Sequence, residues 1–127
     1  MMQRVMRLSA IGLTAGLLAG AALIEPAEAA QDGLDRWVLI RNNSSVAMME
    51  FYGSNVDRTV WEEDILGLDV LVPGESVWVN FDDGSGYCRF DLRAVFENGA
   101  EETQFGVNVC EARGITFRGN RNIRIRY

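Results

Sequence analysis

From residue 36 onward the chain runs as short apolar stretches rich in valine, isoleucine and aromatic residues. Turn residues interrupt them about every ten positions, which is the pattern of an all-β domain. Arg36 to Arg41 (Arg-Trp-Val-Leu-Ile-Arg) reads as a first strand, and Asn42-Asn43-Ser44-Ser45 supplies the turn after it. Val46 to Tyr52 reads as the second strand, closed by Gly53-Ser54-Asn55. Pro73-Gly74, the pairing expected at the centre of a type II turn, introduces another strand at Val77 to Phe81.

The clearest local unit is a hairpin. Cys88, Phe90, Leu92, Ala94 and Phe96 alternate with Arg89, Asp91, Arg93 and Val95, as a half-buried strand does. Asn98-Gly99 then reads as a two-residue hairpin turn. That turn sets Ala94 opposite Thr103, Leu92 opposite Phe105, Phe90 opposite Val107 and Cys88 opposite Val109, with every inward residue meeting another. A disulfide between Cys88 and Cys110 then needs a bulge or a strand end near Val109-Cys110, where the parity shifts.

Two further segments complete the pattern. Thr59 followed by Glu62 fits a helix-start capping box, with Gly67 as a stop, so one short helix should carry Trp61, Ile65 and Leu66 toward the core. Ile115-Thr116-Phe117, a Gly119-Asn120 turn and the alternating Ile123, Ile125 and Tyr127 end the chain in β-structure. The whole predicts one antiparallel β-sandwich of about seven strands with one short helix and one disulfide. Trp37, Trp61 and the phenylalanines are expected in its core.

The first residues belong to a different pattern. Arg4 and Arg7 precede an apolar run from Leu8 to Ile24, and Ala27-Glu28-Ala29 offers small residues where a signal peptidase reads. This is the layout of a cleavable secretory signal over residues 1–29, leaving residues 30–127 as a single domain. The glycine-containing run is short for a membrane span, so no stable membrane anchor is expected. The predicted location is periplasmic or secreted, where the two cysteines read as a disulfide.

Charge and absences narrow the function. The acids and arginines of the leader cancel, so the net charge of −6 belongs to the domain and disfavours nucleic acid as a partner. The chain has no histidine, and every basic residue is arginine. The commonest general base and zinc ligand is therefore missing, as are Schiff-base and lysine-activated chemistries. The expected role is a non-catalytic binding or interaction module for an unknown protein or small ligand.

Four motifs carry a resemblance: Trp61-Glu-Glu-Asp-Ile-Leu-Gly67, Pro73-Gly-Glu-Ser-Val77, Cys88-Arg-Phe-Asp-Leu-Arg93 and Val107-Asn-Val-Cys110. Their order and spacing resemble a group of small exported proteobacterial proteins, well represented in alphaproteobacteria, over about Val38 to Cys110. The resemblance implies export and brings no function. Some members carry the label argininosuccinate lyase. That enzyme is a large helical cytoplasmic oligomer, which a short β-patterned chain without histidine or lysine does not match.

The candidate sites are few. Glu62, Glu63 and Asp64, with Asp82 and Asp83 in the Asp82-Asp83-Gly84-Ser85-Gly86 loop, form an acidic set of the type that wraps calcium or a lanthanide. Asn80, Asp82 and Gly84 imitate part of a calcium-loop spacing, but the third acid and the distant bidentate glutamate are absent. Helix-start electrostatics and an ordinary inter-strand loop explain the same residues without a cofactor. Asp91, between Arg89 and Arg93, reads as a surface ion pair. Trp78 alternates out of the Val77, Val79, Phe81 face and is a candidate binding anchor. Arg124 and Arg126 read either as charges guarding a solvated edge or as part of a docking surface.

Overall fold

In the computed structural model, residues 4–7 and 32–127 are described. The apolar stretch and the Ala27–Ala29 site of the expected signal lie outside them. The strands are β1 (Arg4–Arg7), β2 (Trp37–Asn42), β3 (Met48–Asn55), β4 (Ser76–Asn80), β5 (Arg89–Phe96), β6 (Glu101–Asn108), β7 (Gly114–Phe117) and β8 (Arg124–Arg126). They form a five-stranded sheet in the order β1-β4-β2-β7-β8 and a three-stranded sheet in the order β3-β5-β6. The chain is all-β, as its alternation predicts. The expectation of a purely antiparallel arrangement is corrected at one pair: β2 and β7 run parallel, with Leu39 beside Gly114 and Asn42 beside Phe117.

One core joins the sheets. Val38 and Ile40 of β2, Val77 and Val79 of β4 and Ile115 and Phe117 of β7 are buried on one side. Phe51 of β3 and Phe90, Leu92 and Ala94 of β5 are buried on the other. Phe51 meets Phe117 edge-on with ring centroids 5.8 Å apart and Phe81 at 6.3 Å, and Phe81 reaches Phe90 at 5.5 Å. Such tilted aromatic pairs bury large areas in favoured geometry.

The expected helix at Thr59 to Gly67 is absent. Glu62 instead donates its amide to Ser54 Oγ at 3.4 Å and pairs with Arg58 at 3.2 Å. Asp64 Oδ1 accepts the amides of Phe51 (2.8 Å) and Leu66 (3.1 Å), while Ile65 donates to the Phe51 carbonyl at 2.7 Å. The acids that suggested a helix start thus pin an irregular segment along β3, a local alternative that short polar side chains offer the backbone. Ile65 and Leu66 still enter the core. Trp61 does not: it is half-buried and tilts against Tyr52, at 6.3 Å. Trp37 is also only half-buried, whereas its neighbour Arg36 is buried.

The β5–β6 register is the second correction. Ala94 faces Glu102 and Leu92 faces Gln104, one residue off the expected pairing, while Phe90 faces Val107 as expected. Two glycines cause the difference. Gly99 (φ 87°) completes a wider turn in which Phe96 donates to the Ala100 carbonyl at 2.9 Å, so Glu97, Asn98 and Gly99 all lie in the loop. Gly106 (φ 65°) forms a bulge that restores the original parity. Between the two, β6 is turned over: Glu102 is 3% exposed and Phe105, expected inward, is 68% exposed.

The disulfide is formed. Cys88 and Cys110 are bonded with Cα atoms 5.3 Å apart, within the usual range. Val109 donates to the Cys88 carbonyl at 2.8 Å, keeping the expected pairing up to the strand end. Asn108 then turns the chain, its side chain accepting the Cys110 amide at 3.0 Å and its carbonyl the Ala112 amide at 3.0 Å. Such a bond fits an oxidising, non-cytoplasmic compartment. Among the described residues no helix is long and apolar enough to cross a membrane.

Candidate functional site

The inverted stretch of β6 creates a polar cleft beside the C-terminal segment. It has a volume of about 390 Å³ and is lined by Glu101, Glu102, Thr103, Gln104, Arg121 and Ile123. Glu102 reaches it because Gly99 and Gly106 place an acid where an apolar residue would normally sit. Its Oε2 accepts the backbone amide of Arg121 at 2.7 Å, and its Oε1 is buried without a partner. Among the described residues one other buried side-chain polar atom lacks a partner, Nε of Arg118 at the entry to the same C-terminal turn. Buried carboxylate oxygens and guanidinium protons are costly to leave unmatched, so a bound water or a ligand group would be stabilised at either atom.

The backbone around Arg121 is also unusual. It has φ 66°, and among the described residues it is the one position outside glycine in the left-handed region. Its amide is thereby aimed at Glu102. Strain of this kind persists where the surroundings hold it, and it collects at sites that bind. The arrangement offers a buried carboxylate oxygen for a hydroxyl, amine or guanidinium donor, with the exposed Arg121 at the rim. Nothing in the residue pattern pointed to Glu102, because the expected register turned it outward. The Asn-Gly turn and Gly106 were the available signals.

The residues singled out from sequence occupy other places. Glu62 pairs with Arg58, and Asp64 is committed to the Phe51 and Leu66 amides. Burial pushes the Asp64 carboxyl up from its usual range, against the pull of those two amides. Asp82 Oδ1 accepts the Gly84 amide at 3.0 Å. Asp83 accepts the Ser85 amide and hydroxyl and the Asn55 side-chain amide. Among the described residues no group of three or more acids or cysteines is placed to hold a metal ion. Asp91 accepts the Gly106 amide at 2.9 Å and so supports the bulge. Arg93 makes the ion pair on that face, reaching Glu101 at 3.1 Å and lying 5.3 Å over the Tyr52 ring.

Trp78 is half-buried on the outer face of β4, between Leu39 of β2 and Met6 of β1 in register. Arg124 and Arg126 are exposed on the edge strand β8, and the Arg126 guanidinium lies over Gly114. Arg36 is a cation the residue pattern missed. It is 2% exposed, bidentate to Asp32 at 2.7 and 3.1 Å, and donates to the Gly86 and Tyr87 carbonyls at 3.0 and 2.9 Å. This hydrogen bonding holds Asp32 well below the usual carboxylate range. It ties the chain before β2 to the loop before Cys88, a structural task.

No protein-family model, curated protein or solved structure matches the chain.

Proposed function

We propose that the chain is an exported, non-catalytic binding module, a β-sandwich of the periplasm or the extracellular space. Its ligand is a small polar molecule carrying a hydroxyl, amine or guanidinium donor. The observation that carries this reading is the unpartnered, buried Oε1 of Glu102 at the cleft beside Arg121. A ligand donor there would replace a lost hydrogen bond with a charge-assisted one. A chain without histidine or lysine supports binding over catalysis.

Native mass spectrometry of protein purified from its own host tests the reading. A small polar ligand that accompanies the wild-type protein and is lost from Glu102→Gln is the expected result. Equal ligand retention by Glu102→Gln, or a bare polypeptide mass for both proteins, would overturn it.

A further inference from the structure

The outer edge of β4 is the second place where the fold asks for a partner, and it lies at the opposite end of the five-stranded sheet from the β8 side of the cleft. Ser76-Val77-Trp78-Val79-Asn80 contains no charge and no proline. The other edge strands are protected: β8 carries Arg124 and Arg126, β3 carries Glu50, and β6 carries Glu101, Glu102 and the Gly106 bulge. Exposed edges are normally guarded in these ways, and an unguarded edge of high β-propensity is a template for another strand. In the full chain that strand is β1, antiparallel with Arg4 opposite Asn80, Val5 opposite Val79, Met6 opposite Trp78 and Arg7 opposite Val77.

The geometry points to the β4 edge as a strand-acceptor site for an extended peptide with an apolar centre flanked by arginines. The leader segment Arg4–Arg7 occupies it in the unprocessed chain, and a partner strand of the same chemistry takes it once the leader is removed. Charge selects this occupant. β4 is bracketed by Glu75 on one side and by Asp82 and Asp83 on the other. The β1 register sets Arg4 opposite Asn80 and Arg7 opposite Val77, so the two arginine positions fall at the ends of the paired stretch that the acids bracket. A second copy pairing β4 to β4 antiparallel would instead bring Glu75 of each protomer toward Asp82 and Asp83 of the other, which like charges disfavour. Main-chain bonding supplies the affinity and the flanking charges supply the choice of partner.

The ladder identifies the reporters. Asn42 donates to the Glu75 carbonyl at 3.0 Å and Phe81 to the Arg36 carbonyl at 2.9 Å. The alternation between them turns the Val77 and Val79 amides toward β2 and the Ser76, Trp78 and Asn80 amides toward the outer edge. The test uses the exported, processed protein and a synthetic peptide of residues 3–8, Gln-Arg-Val-Met-Arg-Leu, followed by residue-resolved hydrogen exchange. The peptide should slow exchange at Ser76, Trp78 and Asn80 and leave Val77 and Val79 unchanged. Replacing both peptide arginines by glutamate should weaken binding roughly tenfold, the scale of two partly exposed ion pairs. In the unprocessed chain the same three amides should exchange slowly, and Arg4→Glu with Arg7→Glu should speed them. Unchanged edge amides at saturating peptide would overturn the proposal. So would a concentration-dependent dimer that protects those amides without peptide. Neither outcome bears on the Glu102 cleft.

Discussion

The amide of Gly106 donates to Asp91 Oδ1 at 2.9 Å across the β5–β6 ladder, at the point where the register of that pair changes. Arg89 closes the same bulge from the other side, donating to the Gly106 carbonyl at 2.9 Å. A Cβ at residue 106 would meet nothing within 4 Å, so only backbone strain opposes a substitution there. Gly106→Ala should therefore cost about 1–2 kcal/mol, and Gly106→Asn less, since asparagine tolerates the left-handed region. Urea melts of the three proteins check this order. Equal midpoints for Gly106→Ala and wild type would show that the bulge is not held in that conformation.

Glu102 depends on the same bulge. Glu102→Gln keeps an acceptor for the Arg121 amide and removes the charge at the cleft, so the fold should persist with a small change in stability. Glu102→Leu removes that acceptor and should cost about 1–3 kcal/mol for the stranded amide. Thermal melts of both variants separate the outcomes. A Glu102→Leu protein more stable than wild type would mean that an apolar residue suits this position better.

How much of this was legible in the residues depends on parity. The inward alternation of Val77, Val79 and Phe81 and of Phe90, Leu92 and Ala94 was readable because apolar and polar residues alternate there, and they are buried as expected. In β2, Val38 and Ile40 take the core positions that Trp37 was expected to share. The Cys88–Cys110 pairing was readable too, since Asn108 ends β6 where the parity had to shift. Glu102 was not. Side-chain parity flips with one residue of register, so two glycines with positive φ exchanged the faces of Glu102 and Phe105. Arg36 was hidden for another reason: the Asp32 carboxylate and two loop carbonyls that permit its burial come from residues without a periodic pattern. The expected helix failed where Asp64 found two amides of the folded chain instead of a helix start.

Asp32 and Asp64 should give opposite pH dependences. Asp32 is held down by its bonds to Arg36, so its contribution is fully present above the unfolded carboxylate pKa of about 4 and is lost as pH falls through the folded value. Asp64 is pushed up by burial, so its ionisation penalises the fold above its folded value and the penalty fades as pH falls. Asp32→Asn should thus melt lower than wild type at pH 7, with the gap closing in acid. Asp64→Asn keeps an oxygen for both amides and should melt at or above wild type at pH 7, converging in acid. Melting curves at several pH values read both signs, and an Asp64→Asn gap that widens on acidification would refute the second.

Reducing Cys88–Cys110 removes a closure spanning a sequence separation of 22 residues. Loops of this size are worth about 3 kcal/mol in the chain-entropy account. The double variant Cys88→Ser with Cys110→Ser should therefore unfold at clearly lower urea with the hairpin still paired, because the Phe90–Val107 and Ala94–Glu102 pairings do not depend on the bond. Unchanged urea midpoints for wild type and the double variant would remove the disulfide from the stability account.

The acidic loops yield the last expectation. Hard cations need several oxygens from one converging set, and here Glu62 is engaged by Arg58, Asp64 by two backbone amides, and Asp83 by Ser85 and Asn55. Binding would first have to break those bonds, and a ligand stabilises a fold only through its net affinity for the native state. Chelator-treated protein should show no rise in melting temperature at roughly millimolar calcium or at a micromolar trivalent lanthanide, concentrations that span the sensor and extracellular regimes. Asp91→Asn is the control, since that carboxylate accepts the Gly106 amide on the other sheet. A rise that Asp82→Asn with Asp83→Asn abolishes, and that Asp91→Asn leaves intact, would establish cation binding at the loop after β4 and displace the Glu102 cleft as the leading site.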